Sequence, residues 1–121
     1  MAKRVLVVDD SLSIRTLETL VLKNAGFEVI EACDGEDALR KLETMPVSLI
    51  FTDLNMPKLD GVELIRTVRK SAAHKRTPII MITTESSDAK KQEGRSAGAT
   101  AWLVKPFQPD QLMAIVKKVL G

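Results

Sequence analysis

The chain has 121 residues, of which 45% are hydrophobic, enough for one core and too few for a second folded module. Eighteen basic residues stand against 16 acidic ones, and a formal charge of +2 leaves no electrostatic footprint for nucleic acid or a membrane surface. The single cysteine excludes an internal disulfide, no apolar segment approaches the roughly 20 residues that cross a bilayer, and no amino-terminal stretch has the form of a secretory signal, so a soluble, cytoplasmic protein is expected.

The first element is the apolar run Val5 to Val8, which ends in the adjacent acids Asp9 and Asp10. Two carboxylates this close repel, so a pKa must rise or a cation must bind, and an all-oxygen site suits Mg²⁺ or Ca²⁺ far better than zinc. A helix follows, with Ile14, Leu17, Val21 and Ala25 at three- and four-residue steps before Gly26. Asp34 and Gly35 open a second helix that turns Ala38, Leu39 and Leu42 inward, and Pro46 prevents its continuation. Cys33, just before it, reads as a small buried hydrophobe.

The next apolar run, Ser48 to Thr52, again ends in an acid, Asp53, followed by the loop Leu54-Asn55-Met56-Pro57. A third helix begins near Gly61 with Val62, Ile65 and Val68 facing inward, while Arg66, Arg69, Lys70, Lys75 and Arg76 form its wet face and exit loop. His74 has no acidic or cysteine neighbour and reads as a solvated loop residue. The run Pro78 to Ile82 ends in Thr83, Thr84 and Glu85, after which Ser86 and Ser87 can cap a fourth helix. That helix carries Asp88, Lys90, Lys91, Gln92, Glu93 and Arg95 with only alanines such as Ala89 and Ala97 to bury, so it is poorly anchored. A last apolar run, Ala101 to Val104, ends in Lys105, Pro106 and Phe107, and Pro109 opens a helix with the stripe Leu112, Ile115, Val116 and Val119.

Strand and helix thus alternate five times, which gives an α/β fold: a doubly wound parallel sheet with helices on both faces and right-handed crossovers. Ligands of such sheets bind beyond the carboxyl ends of the strands, where Asp9, Asp10, Asp53, Thr83 and Lys105 converge. The acidic pair, the aspartate before Asn55-Met56-Pro57, the Asp60-Gly61 step, Thr83 and Lys105-Pro106-Phe107 together resemble the response-regulator receiver domain of two-component systems, of the single-domain chemotaxis CheY type. The resemblance covers residues 1–121, with no output domain. It implies the five-stranded order 2-1-3-4-5, a flavodoxin-like three-layer sandwich.

The resemblance also implies the chemistry. Asp53 is the phosphoacceptor. Asp10, Asp53 and the Asn55 backbone carbonyl hold Mg²⁺, or Mn²⁺ in its place, with Asp9 acting through water. Lys105 and Thr83 partner the phosphoryl oxygens, and the Lys105–Pro106 peptide is cis. Thr83 and Trp102 form the switch, Trp102 standing where the family more often has tyrosine or phenylalanine. Asn55, Glu85 and Thr84 tune dephosphorylation. The implied partners are a sensor histidine kinase (CheA-like), an effector such as the flagellar motor switch met by the fourth helix, fifth strand and fifth helix, and a possible phosphatase.

A phosphorelay intermediate, a phosphate sink and a receiver cut from a larger regulator share this pattern. An aspartyl-phosphate enzyme of the haloacid dehalogenase type needs a second aspartate two residues after its nucleophile, where this chain has Asn55. The chain therefore reads as a signalling protein that assists its own phosphorylation and dephosphorylation, with no external substrate to turn over. Gly26, Gly35, Gly61, Gly94 and Gly98 form neither a P-loop nor a dinucleotide fingerprint.

Overall fold

The computed structural model describes residues 3–120. Five strands alternate with five helices: β1 (Arg4–Val8), α1 (Leu12–Asn24), β2 (Glu28–Ala32), α2 (Gly35–Thr44), β3 (Leu49–Thr52), α3 (Gly61–Arg69), β4 (Ile79–Thr83), α4 (Asp88–Ala97), β5 (Ala101–Val104) and α5 (Pro109–Leu120). The strands form one parallel sheet in the order β2-β1-β3-β4-β5, as the resemblance implies. Because side chains alternate across a strand, the inner strands feed two cores. Leu6, Val8, Ile50 and Met81 pack with Ala38 and Leu42 of α2 and Val62, Ile65 and Val68 of α3. Val5, Val7, Phe51, Ile80 and Ile82 pack with Leu22 of α1 and Leu112 and Val116 of α5.

β2 has no unbroken apolar run because Glu28 and Glu31 interrupt it. As an edge strand it is only partly covered, so its position rests on pairing with β1, from Arg4 against Glu28 to Val8 against Ala32. Four helices start on a capping side chain: Ser11 accepts from the Ile14 N–H, Asp34 from Asp37, Asp60 from Glu63 and Ser87 from Lys90.

Four expectations from sequence fail in instructive ways. α1 does not turn Leu17 and Ala25 inward; it buries Glu18, Thr19 and Leu22 and leaves Leu17 39% exposed. The rotation is set by Arg15, whose guanidinium donates to the Asp9 carbonyl at 2.8 Å and to Glu31 Oε1 at 3.1 Å. Cys33 is exposed, since β2 has ended and its N–H is held by Asp37 Oδ2 at the start of α2. Arg69 leaves the wet face and donates to the carbonyls of Gly98, His74, Lys75 and Thr77, tying the exit of α3 to the end of α4. His74 is 2% exposed because its ring has a buried backbone partner, Val47.

Gly61 positions the chemistry. A Cβ there would lie 2.4 Å from the Asp53 carbonyl oxygen and 3.0 Å from Leu54 Cα, so α3 can begin this close to the end of β3 only with a glycine. Gly61→Ala is expected to cost about 1–3 kcal/mol in urea unfolding, the usual range for overpacking a rigid site, because backbone must move to admit the methyl. A loss below about 0.5 kcal/mol would show that Asp53 tolerates displacement.

Candidate functional site

The register brings Val8 beside Thr52, so β1 and β3 deliver their next residues, Asp9 and Asp53, side by side. The ladder continues through that point: Asp9 N–H donates to the Ala32 carbonyl at 3.1 Å and Asp53 N–H to the Val8 carbonyl at 3.0 Å. Asp9 is 1% exposed, with Oδ1 accepting from the Ser11 N–H at 2.9 Å. Asp53 Oδ1 accepts from the Leu54 N–H at 2.7 Å. The other oxygen of each carboxylate meets one cation, Lys105 Nζ, at 2.7 Å from Asp9 Oδ2 and 3.1 Å from Asp53 Oδ2. Burial alone would push the Lys105 ammonium down, but its hydrogen bond to Asp9 and the charge of Asp53 outweigh that and hold it above its ordinary value.

Asp10 is exposed at the mouth of the pocket, and one carboxylate oxygen from each of Asp9, Asp10 and Asp53 lies within 4.8 Å of the others. Three convergent carboxylates carry more negative charge than one lysine balances. Hard oxygen donors in a partly open site fit Mg²⁺, which keeps several waters.

Thr83 ends β4, 1% exposed, and its carbonyl accepts the Lys105 N–H at 2.8 Å. Its hydroxyl oxygen accepts the Glu85 N–H at 3.3 Å. Glu85 turns its carboxylate to the Ser87 N–H at 3.0 Å, a contact that lowers its pKa. The Glu85 carbonyl accepts the Trp102 indole N–H at 2.9 Å. A Cβ on Gly94, the buried residue of α4, would lie 2.7 Å from the indole ring, so the glycine lets Trp102 lie against that helix. Thr84 and Asn55 are exposed beside the pocket, and the Lys105–Pro106 peptide is cis.

An acidic pocket bridged by a lysine, at the carboxyl edge of a doubly wound parallel sheet, defines a receiver of the signalling type. Residues 5–117 match the response regulator receiver domain, and the chain belongs to that family. Chemotaxis protein CheY4 of Vibrio cholerae is 46% identical, with a TM-score of 0.95 over 98% of this chain and 99% of that one. The alkaline phosphatase synthesis transcriptional regulatory protein PhoP of Bacillus subtilis is 42% identical over 120 residues, 99% of this chain and 49% of its own, so the chain spans about half the length of that relative. The receiver domain of a sensor histidine kinase from Pseudomonas aeruginosa is 28% identical, with a TM-score of 0.90 over 98% of this chain and 97% of that one, and was solved with a magnesium ion coordinated in its active site cleft.

Sequence reasoning missed Glu18. It is 1% exposed on α1, and its Oε2 has no hydrogen-bond partner. Its place one helical turn from both Ile14 and Leu22 was the available signal. Burial first, and then the nearby Asp9 charge, raise its pKa from 4.5 to about 8. The native state therefore keeps a proton that the unfolded chain sheds, so this group's stabilising effect is full below pH 4.5 and is lost as pH rises through about 8. In metal-free buffer, unfolding free energy of the wild type should fall relative to Glu18→Gln by on the order of 3 kcal/mol between about pH 4.5 and pH 7. Parallel pH profiles for the two proteins would show that Glu18 ionises freely in the native state.

Proposed function

We propose that the chain is a response regulator that takes a phosphoryl group on Asp53 from the phosphohistidine of a sensor histidine kinase and passes the change to an effector through α4, β5 and α5. The observation that carries this is the placement of the Asp53 carboxylate, 3.1 Å from Lys105 Nζ and grouped with Asp9 and Asp10 at the sheet edge. An Asp53 carboxylate oxygen attacks phosphorus, the P–N bond to the donor imidazole breaks, and the imidazole leaves with the nitrogen electron pair. Asp10, Asp53 and the Asn55 carbonyl would hold Mg²⁺, or Mn²⁺ in its stead, with Asp9 acting through water. When bound, the ion neutralises charge on the transferring group. Lys105, freed from Asp53, meets a phosphoryl oxygen, and Thr83 donates its hydroxyl to another.

Transmission follows from contacts already made. Turning the Thr83 hydroxyl toward phosphate withdraws the acceptor of the Glu85 N–H. Glu85 holds Trp102, and Trp102 lies against α4, whose buried residue is Gly94. So little burial makes α4 the element that small forces can re-pose. Beside it lies a groove of about 700 Å³ with Trp102, Ile115 and Val119 as its apolar floor and Lys91, Arg95 and Lys118 at its rim. That chemistry suits an acidic amphipathic segment of an effector.

The likeness to CheY4 supports chemotaxis, with a CheA-like kinase and the flagellar motor switch as partners. Exposed Asn55 and Thr84 and half-buried Glu85 flank the path of the hydrolytic water and of a phosphatase's catalytic group. A monomer in the cytoplasm is the setting this reading requires, and among the described residues no helix is long and apolar enough to cross a membrane. The half-length match to PhoP favours a second reading, a receiver belonging to a larger regulator or serving a relay.

Incubation with a small acyl-phosphate donor and Mg²⁺ should add one phosphoryl group to the intact mass, lost on chelation and absent in Asp53→Asn. Uptake by Asp53→Asn would assign the acceptor elsewhere. Trp102→Phe keeps an aromatic ring but loses the N–H bond to the Glu85 carbonyl. It should phosphorylate at the wild-type rate while the phosphorylation-dependent change in hydrogen exchange of α4 shrinks about fivefold, the ratio that corresponds to one hydrogen bond of about 1 kcal/mol. An undiminished α4 response would remove this bond from the pathway.

A further inference from the structure

His74 is almost wholly buried between α2 and α3, and the phosphorylation chemistry makes no use of it. Its Nε2 accepts the Val47 backbone N–H at 3.2 Å, a bond spanning 27 residues that ties the lead-in to β3 to the loop after α3. A ring nitrogen that accepts an N–H carries no proton, so the ring is neutral with its hydrogen on Nδ1. The backbone of His74 is fixed as well: its N–H donates to the Ser71 carbonyl, and its carbonyl accepts from the Thr77 N–H at 3.3 Å and from Arg69 Nη1 at 3.2 Å. Beside the ring lies a cavity of about 230 Å³, walled by Leu39, Leu42 and Glu43 of α2 and Thr67 and Val68 of α3.

We propose that His74 is an acid-sensitive latch: its neutral ring holds the α2–β3 corner against the α3–β4 loop, and protonation releases that corner and opens the space between α2 and α3. Protonation would set N–H against N–H at Val47, so the bond is lost and a charge is left in an apolar surrounding. The charged groups around the ring do not rescue it. Glu43 on α2 is the acid that faces the same cavity, and it is exposed. Against it stand Arg69 from α3, bonded to the His74 carbonyl, and Arg4 from β1, whose Nη1 reaches the Pro46 carbonyl at 3.4 Å, next to Val47. Lys75 and Arg76, which follow in the loop, are exposed. Burial accordingly pushes the imidazole below its ordinary value. The stability the latch contributes is present above about pH 6.5, where the unfolded histidine is also neutral, and is lost as pH falls through the folded value. The latch does not depend on the phosphorylation reading.

The test is amide exchange of Val47 together with the ring ¹⁵N titration of His74, in the wild type and in His74→Gln, whose carboxamide oxygen accepts the same N–H but does not titrate. Corrected for intrinsic rate, Val47 protection should drop at least about tenfold between about pH 7.5 and pH 5 in the wild type and by less than about twofold in the variant, with the Leu64 amide of α3 as the unchanging control. Unchanged protection in the wild type, or an equal loss in His74→Gln, overturns the proposal. Should the variant not fold, the wild type alone decides: the His74 ring and the Val47 amide must titrate with one midpoint below about 6.5. Separate midpoints refute the latch.

Discussion

The arrangement turns on one ammonium group between two carboxylates. The parallel register of β1 and β3 forces Asp9 and Asp53 to emerge as neighbours, and at a few ångströms in a partly buried site their repulsion is of order 4 kcal/mol. Lys105 Nζ, 2.7 Å from one and 3.1 Å from the other, offsets it. β5 delivers that lysine, and the backbone bond from Lys105 to the Thr83 carbonyl fixes the strand end that carries it. The pocket, the end of β4 and the route to Trp102 share one set of anchors.

That balance is incomplete. Asp10 adds a third carboxylate within 4.8 Å, and Glu18 lies beneath as an acid that stays protonated because burial and Asp9 oppose its ionisation. A divalent cation and a phosphoryl group change the charge at this point by whole units, so they can rearrange contacts that a neutral ligand would leave alone. The contacts that join the pocket to α4 are few: Thr83 to Glu85, Glu85 to Trp102, and Trp102 against Gly94.

Much of this was legible in the sequence. The inner strands announce themselves because both their faces are buried, and each ends in the polar residue that enters the pocket. β2 was not located by residue, since Glu28 and Glu31, allowed on an edge, break the apolar pattern that marks the other strands. What escaped depended on partners far along the chain. Arg15 rotates α1 through bonds to Asp9 and Glu31, which no helical periodicity encodes. The burial of His74 needs the Val47 amide 27 residues away, and the withdrawal of Arg69 from solvent needs four carbonyls of later loops. Gly61 was readable as the opening of a helix, but its reason, the carbonyl of Asp53, was visible only in three dimensions.

The most direct test of the central claim is a structure of the chain with Mg²⁺ and beryllofluoride, a mimic of the phosphoryl group. The adduct should form on an Asp53 carboxylate oxygen, with Lys105 Nζ moved from Asp53 to a fluorine and the Thr83 hydroxyl turned toward another. An adduct on a different side chain, or an Asp53 adduct with Lys105 and Thr83 left in their present contacts, would contradict it.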